Sequence, residues 1–211
     1  IIRRLLRTKA LDRLKGTLIV VPVVNVFGFN NKSRYLPDRR DLNRCFPGSE
    51  RGSLAGQIAK LFTDNIVACC THGIDLHTAA IGRSNLPQIR TDLTGNPDML
   101  AMAQAFHSPV ILDAPTRNGS LRSVASQYNA QVMLYEAGEA LRFDEIPIRA
   151  GVRGIISTMR HLGMLSPRKS GKPPGASLLS QGSSWVRAPQ SGILRLAKSM
   201  GEQINSGDIL G

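Results

Sequence analysis

Short apolar runs rich in β-branched residues alternate along this chain with segments of helical period. That alternation restricts it to an α/β architecture. The first run, TLIVVPVV at 17–24, is near-continuous, as in a strand buried on both faces of a mixed or parallel sheet. Pro22 sets it at a strand end or a sheet edge. Further strands are predicted at 73–77, 88–93, 110–112 and 131–135, the last running out at Glu136. Helices are predicted over 1–15, closing at Lys15-Gly16 where glycine is a common C-cap, and over 54–69 behind Ser53. Three more follow at 97–106 behind Asn96, at 121–128 and at 145–162.

Composition removes several classes. With 42% hydrophobic and 20% charged residues the chain is not of disordered type, and no apolar run approaches the ~18–20 residues of a membrane helix. The net charge of +12 admits two causes: a basic surface for nucleic acid or anionic lipid, or arginines lining a pocket for an anionic small molecule. Only 5% of residues are aromatic, too few to favour base stacking, and the basic residues are scattered, so nucleic-acid and membrane partners are not expected. Cys45, Cys69 and Cys70 form no disulfide framework, which fits a reducing, cytoplasmic setting. Ile1 opens inside a helical pattern, and Gly211 follows a strand-like stretch, so both ends read as cuts.

Domain organisation follows from texture. Residues 1–165 form the α/β unit, and 166–177 (SPRKSGKPPGAS) are a linker by composition. Residues 178–211 read as a partial all-β module of short strands and turn glycines.

Three places carry chemistry. Asp75 and His77 share one face of a strand, and a His at the carboxyl edge of a sheet is a reasonable metal ligand. The plain alternative is a core histidine hydrogen-bonded to Asp75. Residues 25–52 are a long polar segment, a length that is often functional. Within it Arg34, Arg39, Arg40 and Arg44, with Asn43, offer donors for a carboxylate, anchored by Leu42, Cys45 and Phe46. Glu136, where the apolar strand ends, is placed to act as a general base, or is a surface carboxylate.

Taken in order, Arg … DLNRCFPG (41–48) … DLHTA (75–79) … YEAG (135–138) resembles the succinylglutamate desuccinylase/aspartoacylase family, over roughly residues 1–165. The resemblance implies the zinc carboxypeptidase fold, a mixed-sheet α/β/α domain, and a hydrolase cleaving an amide bond of a small carboxylate such as an N-acyl amino acid. It implies His77 as a ligand of Zn2+, Glu136 as the base, Arg34 polarising the scissile carbonyl, Asn43 and Arg44 holding the substrate carboxylate, and Arg122 as a further substrate contact. Asp75 would orient a ligand. The family's other two ligands come from a His-x-x-Glu motif that has no counterpart here, which reads as a fragment lacking two metal ligands and inactive by itself. The tail from Ser184 resembles half of a biotinyl/lipoyl-like barrel, but no residue present supports a carrier role. The competing readings are a noncatalytic anion-binding homologue and a basic nucleic-acid-binding protein, whose binding would fall steeply with salt.

Overall fold

The computed structural model describes residues 1–167 and 175–211. Its helices are α1 (Ile2–Leu5), α2 (Val26–Asn30), α3 (Leu54–Asn65), α4 (Pro97–Phe106), α5 (Leu121–Gln127) and α6 (Glu145–His161). Its strands are β1 (His72–Ala79), β2 (Asn85–Thr91), β3 (Val110–Asp113), β4 (Gln131–Glu139) and β5 (Leu178–Ser180). They form one mixed sheet in the order β1-β4-β2-β3-β5; only the β2–β4 pair is antiparallel. Among the described residues no helix is long and apolar enough to cross a membrane.

The pleat sends alternate residues of each strand to opposite faces. Ile89, Met133 and Tyr135 go to one face, where α4 and α6 cover them with Met99, Met102, Phe106, Ile155 and Met159. On the other face Val132 packs against α3 and α5 through Ala55, Ala59, Val124 and Ala125. The result is helix, sheet, helix, with two cores and the sheet between them.

Local chemistry sets the helix ends. Asn96 Oδ1 accepts from Met99 N–H at 3.0 Å, Pro97 occupies the first turn of α4, and His107 closes the helix in the left-handed region at φ 59°. His107 is thus a C-cap. Phe106 is 2% exposed, with its ring centroid 4.9 Å from that of Tyr135, whose hydroxyl donates to Pro147 O at 2.8 Å. Truncating Phe106 to alanine should therefore cost ~3–5 kcal/mol, read from a denaturant midpoint with unchanged slope.

Several expectations are corrected. The first helix is two pieces, α1 and a 3-10 turn at Lys9–Arg13. The 54–69 helix ends at Asn65 and continues as a 3-10 turn at Val67–Cys69. Residues 17–24 are not a strand: they run without assigned structure, mostly half-buried, beside β1. A strand exists only where a neighbour completes its ladder, and no neighbour pairs with them among the described residues. Glu136 lies inside β4, three residues before its end, not at the end. Residues 178–180, assigned above to a separate module, are an edge strand of the main sheet, parallel to β3. Beyond them, residues 181–211 contain no strand, although Ala197 N–H donates to Leu210 O at 2.9 Å. Of the expected linker, 168–174 lie outside the described residues.

Candidate active site

The site is built on the face of the sheet that looks toward α3 and α5. In the parallel β1–β4 ladder His77 is the register partner of Glu136, and across the antiparallel pair Glu136 faces Gln88. Register partners share a face. One strand step back, Asp75 is level with Leu134 and Leu134 with Arg90, so Asp75, His77, Glu136 and Arg90 all project to one side. This is the chemistry-bearing row, with β4 central in it.

Asp75 Oδ2 lies 2.9 Å from His77 Nε2, and both side chains are largely shielded. That contact fixes the ring and leaves Nδ1 without a hydrogen-bond partner among the described residues. Burial pushes the His77 ring down, but the Asp75 hydrogen bond and the charges of Asp75 and Glu136 outweigh it, and the ring lies above its ordinary value. The Arg34 guanidinium opposes that rise, a sign that it shares the space in front of His77. Glu136 Oε2 has Arg90 Nη1 at 3.7 Å. Arg90 was missed in the sequence; its signal was a cation inside the apolar strand Leu86-Pro87-Gln88-Ile89-Arg90.

The arginine loop is held by its own short-range bonds. Arg34 Nε and Nη2 both donate to Asp41 Oδ2, at 2.9 and 2.8 Å, while Asp41 Oδ1 accepts from Asn43 N–H and caps the 3-10 turn Leu42–Arg44. Leu42 and Phe46 are buried beneath it. Asn43 Oδ1 accepts from Leu121 N–H at 2.8 Å, which ties the turn to the start of α5 and leaves the amide NH2 without a partner among the described residues. Phe46 N–H donates to Gly119 O at 3.0 Å, and Gly119, at φ 74°, lies so near Arg44 that a Cβ would come within 2.6 Å of its carbonyl oxygen.

Asp38 anchors the loop to α3, accepting from Ala55 N–H at 2.8 Å and from Arg40 N–H at 3.1 Å. The Ala55 hydrogen bond, helped by Arg40, holds the Asp38 carboxyl below its usual range. Its contribution to stability is therefore complete above the unfolded-state value and fades as pH falls through the lower folded one. Asp38→Asn should flatten the acid limb of the stability profile, measured as urea midpoint against pH between about 5 and 2.

The residues expected from the sequence fall into two sets. Asp75, His77, Arg34 and Asn43 line one groove together. Glu136 joins them through its register with His77. Arg122 is on the same side: its Nη1 makes long contacts to Arg90 O and Ala114 O (3.4 and 3.5 Å), and burial followed by the Arg90 charge lowers its guanidinium. Arg44 stands apart, exposed, with its side chain folded onto the Asn43 carbonyl. Among the described residues no three His, Cys, Asp or Glu side chains converge into a metal cluster.

The model of the succinylglutamate desuccinylase/aspartoacylase catalytic domain matches residues 1–162. The chain belongs to this family. Over 213 residues it is 24% identical to the N-alpha-acetyl-L-2,4-diaminobutyric acid deacetylase of Halomonas elongata, covering 97% of this chain and 62% of the relative. The chain thus spans less than two thirds of that deacetylase's length. In fold it is similar to a succinylglutamate desuccinylase/aspartoacylase from Rhodobacter sphaeroides (TM-score 0.79, 24% identity, 94% of this chain and 63% of the other). It is also similar to a succinylglutamate desuccinylase from Silicibacter sp. TM1040 (TM-score 0.81, 22% identity, 99% and 65%). The family members named by these matches are desuccinylases, aspartoacylases and deacetylases, hydrolases of amide bonds.

Proposed function

We propose that this desuccinylase/aspartoacylase-family chain carries the substrate-binding and proton-transfer residues of a zinc-dependent deacylase that acts on small N-acyl amino acids. The observation that supports it best is the register of His77 beside Glu136, next to a loop that presents Arg34 and Asn43 to the same groove. The deacetylase from Halomonas elongata supports an acylated amino acid as the substrate class.

Zinc is part of this reading only as far as His77 goes. A catalytic zinc takes three protein ligands. His77 supplies one, oriented by Asp75, and the described residues hold no cluster that supplies the others. These residues alone do not fit the ion.

Each remaining role follows from chemistry. The Asn43 amide and Arg44 bind the substrate carboxylate, Arg44 swinging off the Asn43 carbonyl to form a charge-assisted pair. Arg122 adds positive potential on the same side. Arg34, braced by Asp41, donates to the scissile carbonyl oxygen as negative charge builds there. Glu136 takes a proton from the attacking water and passes it to the leaving amine. Arg90, at 3.7 Å, aims Glu136, as a positioning residue.

The test is Arg44→Ala. In zinc-supplemented gene product, KM for N-acyl amino acids should rise about 10–100-fold with kcat nearly kept, while the same compounds as C-terminal amides change little. Equal losses on both would remove Arg44 from carboxylate binding. Carboxylate binding without turnover in any preparation would instead favour a noncatalytic anion-binding homologue.

A further inference from the structure

Behind the sheet, on the face opposite the candidate site, residues 1–15 lie along α6. Arg4 grips Glu145 at the start of that helix with both terminal nitrogens, at 2.7 Å each. Ile1 lies against Gly151, Leu5 enters the core beneath, and Lys15 N–H donates to Met164 O at 2.9 Å, past the helix end. Residues 1–15 and 142–161 together hold ten of the 27 Lys and Arg residues but three of the 15 Asp and Glu. They therefore carry seven of the twelve net positive charges, ten less three. Arginines that look scattered along the sequence thus gather on one surface of the fold.

That surface is ordered. Ile146, Arg149 and Arg153 are spaced three and four apart on α6, so they share its exposed face. One turn sets Arg149 and Arg153 about 6 Å apart along the axis. Beside them Arg3, Arg7, Lys9 and Arg13 are exposed on the companion segment. None of these six cations makes an ion pair among the described residues, whereas Arg4 holds the carboxylate of Glu145. At the head of the ridge apolar side chains stand among the charges: Phe143 is 92% exposed, Ile146 66% and Leu6 54%. Leu141, in the turn that leads into α6, holds the left-handed region at φ 62°, a costly conformation for leucine. A plain solvated face carries charges without such neighbours; large apolar side chains set among unpaired cations suit recognition of another protein.

We infer that the ridge formed by α6 and residues 1–15 docks an acidic amphipathic helix of a partner protein. Carboxylates four residues apart on that helix repeat at about 6 Å and meet Arg149 and Arg153. Aliphatic side chains in the next stripe meet Ile146, Leu6 and Phe143, as in other helix-on-surface recognition. A second copy of this chain is not the occupant, because it carries the same net charge of +12 and is repelled. An anionic membrane fits poorly: Asp144 and Glu145 stand between Phe143 and Ile146, and seating Phe143 in hydrocarbon would press both carboxylates against anionic headgroups. Nucleic acid fits poorly too, since phosphates make no use of the aliphatic side chains and Phe143 is the one aromatic residue of the two segments. This inference stands apart from the proposed activity, as its test needs no turnover.

The probe is a fluorescent peptide of alanine, glutamate and leucine, about 18 residues long so that it is helical alone, with glutamates four apart in one stripe and leucines in the next. Titrated with the whole chain at low salt, its anisotropy should saturate. Arg149→Glu with Arg153→Glu should weaken binding about tenfold or more. Arg187→Glu with Arg195→Glu, the same change in net charge made elsewhere, should weaken it less than about twofold. Phe143→Ala, in the turn outside the helix, should weaken it about threefold or more, and it keeps the test decisive should the double reversal unfold α6. No saturable binding, equal losses in the two double variants, or equal binding of a peptide with its glutamates scrambled around the helix would overturn the inference. So would tighter binding to phosphatidylserine–phosphatidylcholine vesicles or to duplex DNA that Arg149→Glu with Arg153→Glu removes, which would make a membrane or a nucleic acid the occupant.

Discussion

Glu136→Gln should lower kcat for N-acyl amino acids by about 10²–10⁴-fold while KM changes little. The substitution is isosteric and the side chain is only partly buried at a long 3.7 Å contact from Arg90, so the fold should lose little. What it removes is the acceptor that takes the proton from water and returns it to the amine. Steady-state kinetics, with metal content measured on the same samples, separates the outcomes. A variant that keeps kcat would show that another group accepts the proton. A variant that loses metal as well would make Glu136 part of the metal environment instead of the base.

Arg34→Ala should cost about 10²–10³-fold in kcat, the usual loss for one donor aimed at a developing oxyanion. Its guanidinium is held by two nitrogens on a single Asp41 oxygen, so the fork is braced before substrate arrives. Asp41 keeps its second job in the variant, capping the turn through Asn43 N–H, and the loop should survive. Arg34→Lys should recover only part of the rate, because an ammonium cannot reproduce the planar fork. If instead KM rises and kcat holds, Arg34 binds the substrate carboxylate and its assignment exchanges with that of Arg44.

Much of the site was legible because its residues sit on locally determined backbone. DLNRCFPG specifies its own turn: Asp41 caps it, and Leu42 and Phe46 bury it. DLHT gave Asp75 and His77 a common face through the period of two alone. Other parts depend on what lies beside them. The run at 17–24 has strand composition but no partner, so the composition misled. The reach of β4 past Glu136 is set by pairing with both β1 and β2, which Gly138 in the sequence conceals. β5 is three residues whose only reason to be a strand is the edge of β3. Arg90 became visible only when the antiparallel register set it diagonal to Glu136. Arg44 shows the converse: the motif marks it, yet its side chain lies folded outside the groove.

The most direct measurement is release of free amine from a panel of N-acetyl and N-succinyl amino acids by the zinc-supplemented gene product, beside His77→Ala and Glu136→Gln. The expected result is turnover of at least one N-acyl amino acid that both substitutions lower by about 10²-fold or more, with the C-terminal amide of the same compound cleaved at least about tenfold less well. Turnover undiminished in either variant, or no turnover of any member of the panel, would contradict the account of this site as a deacylase centre.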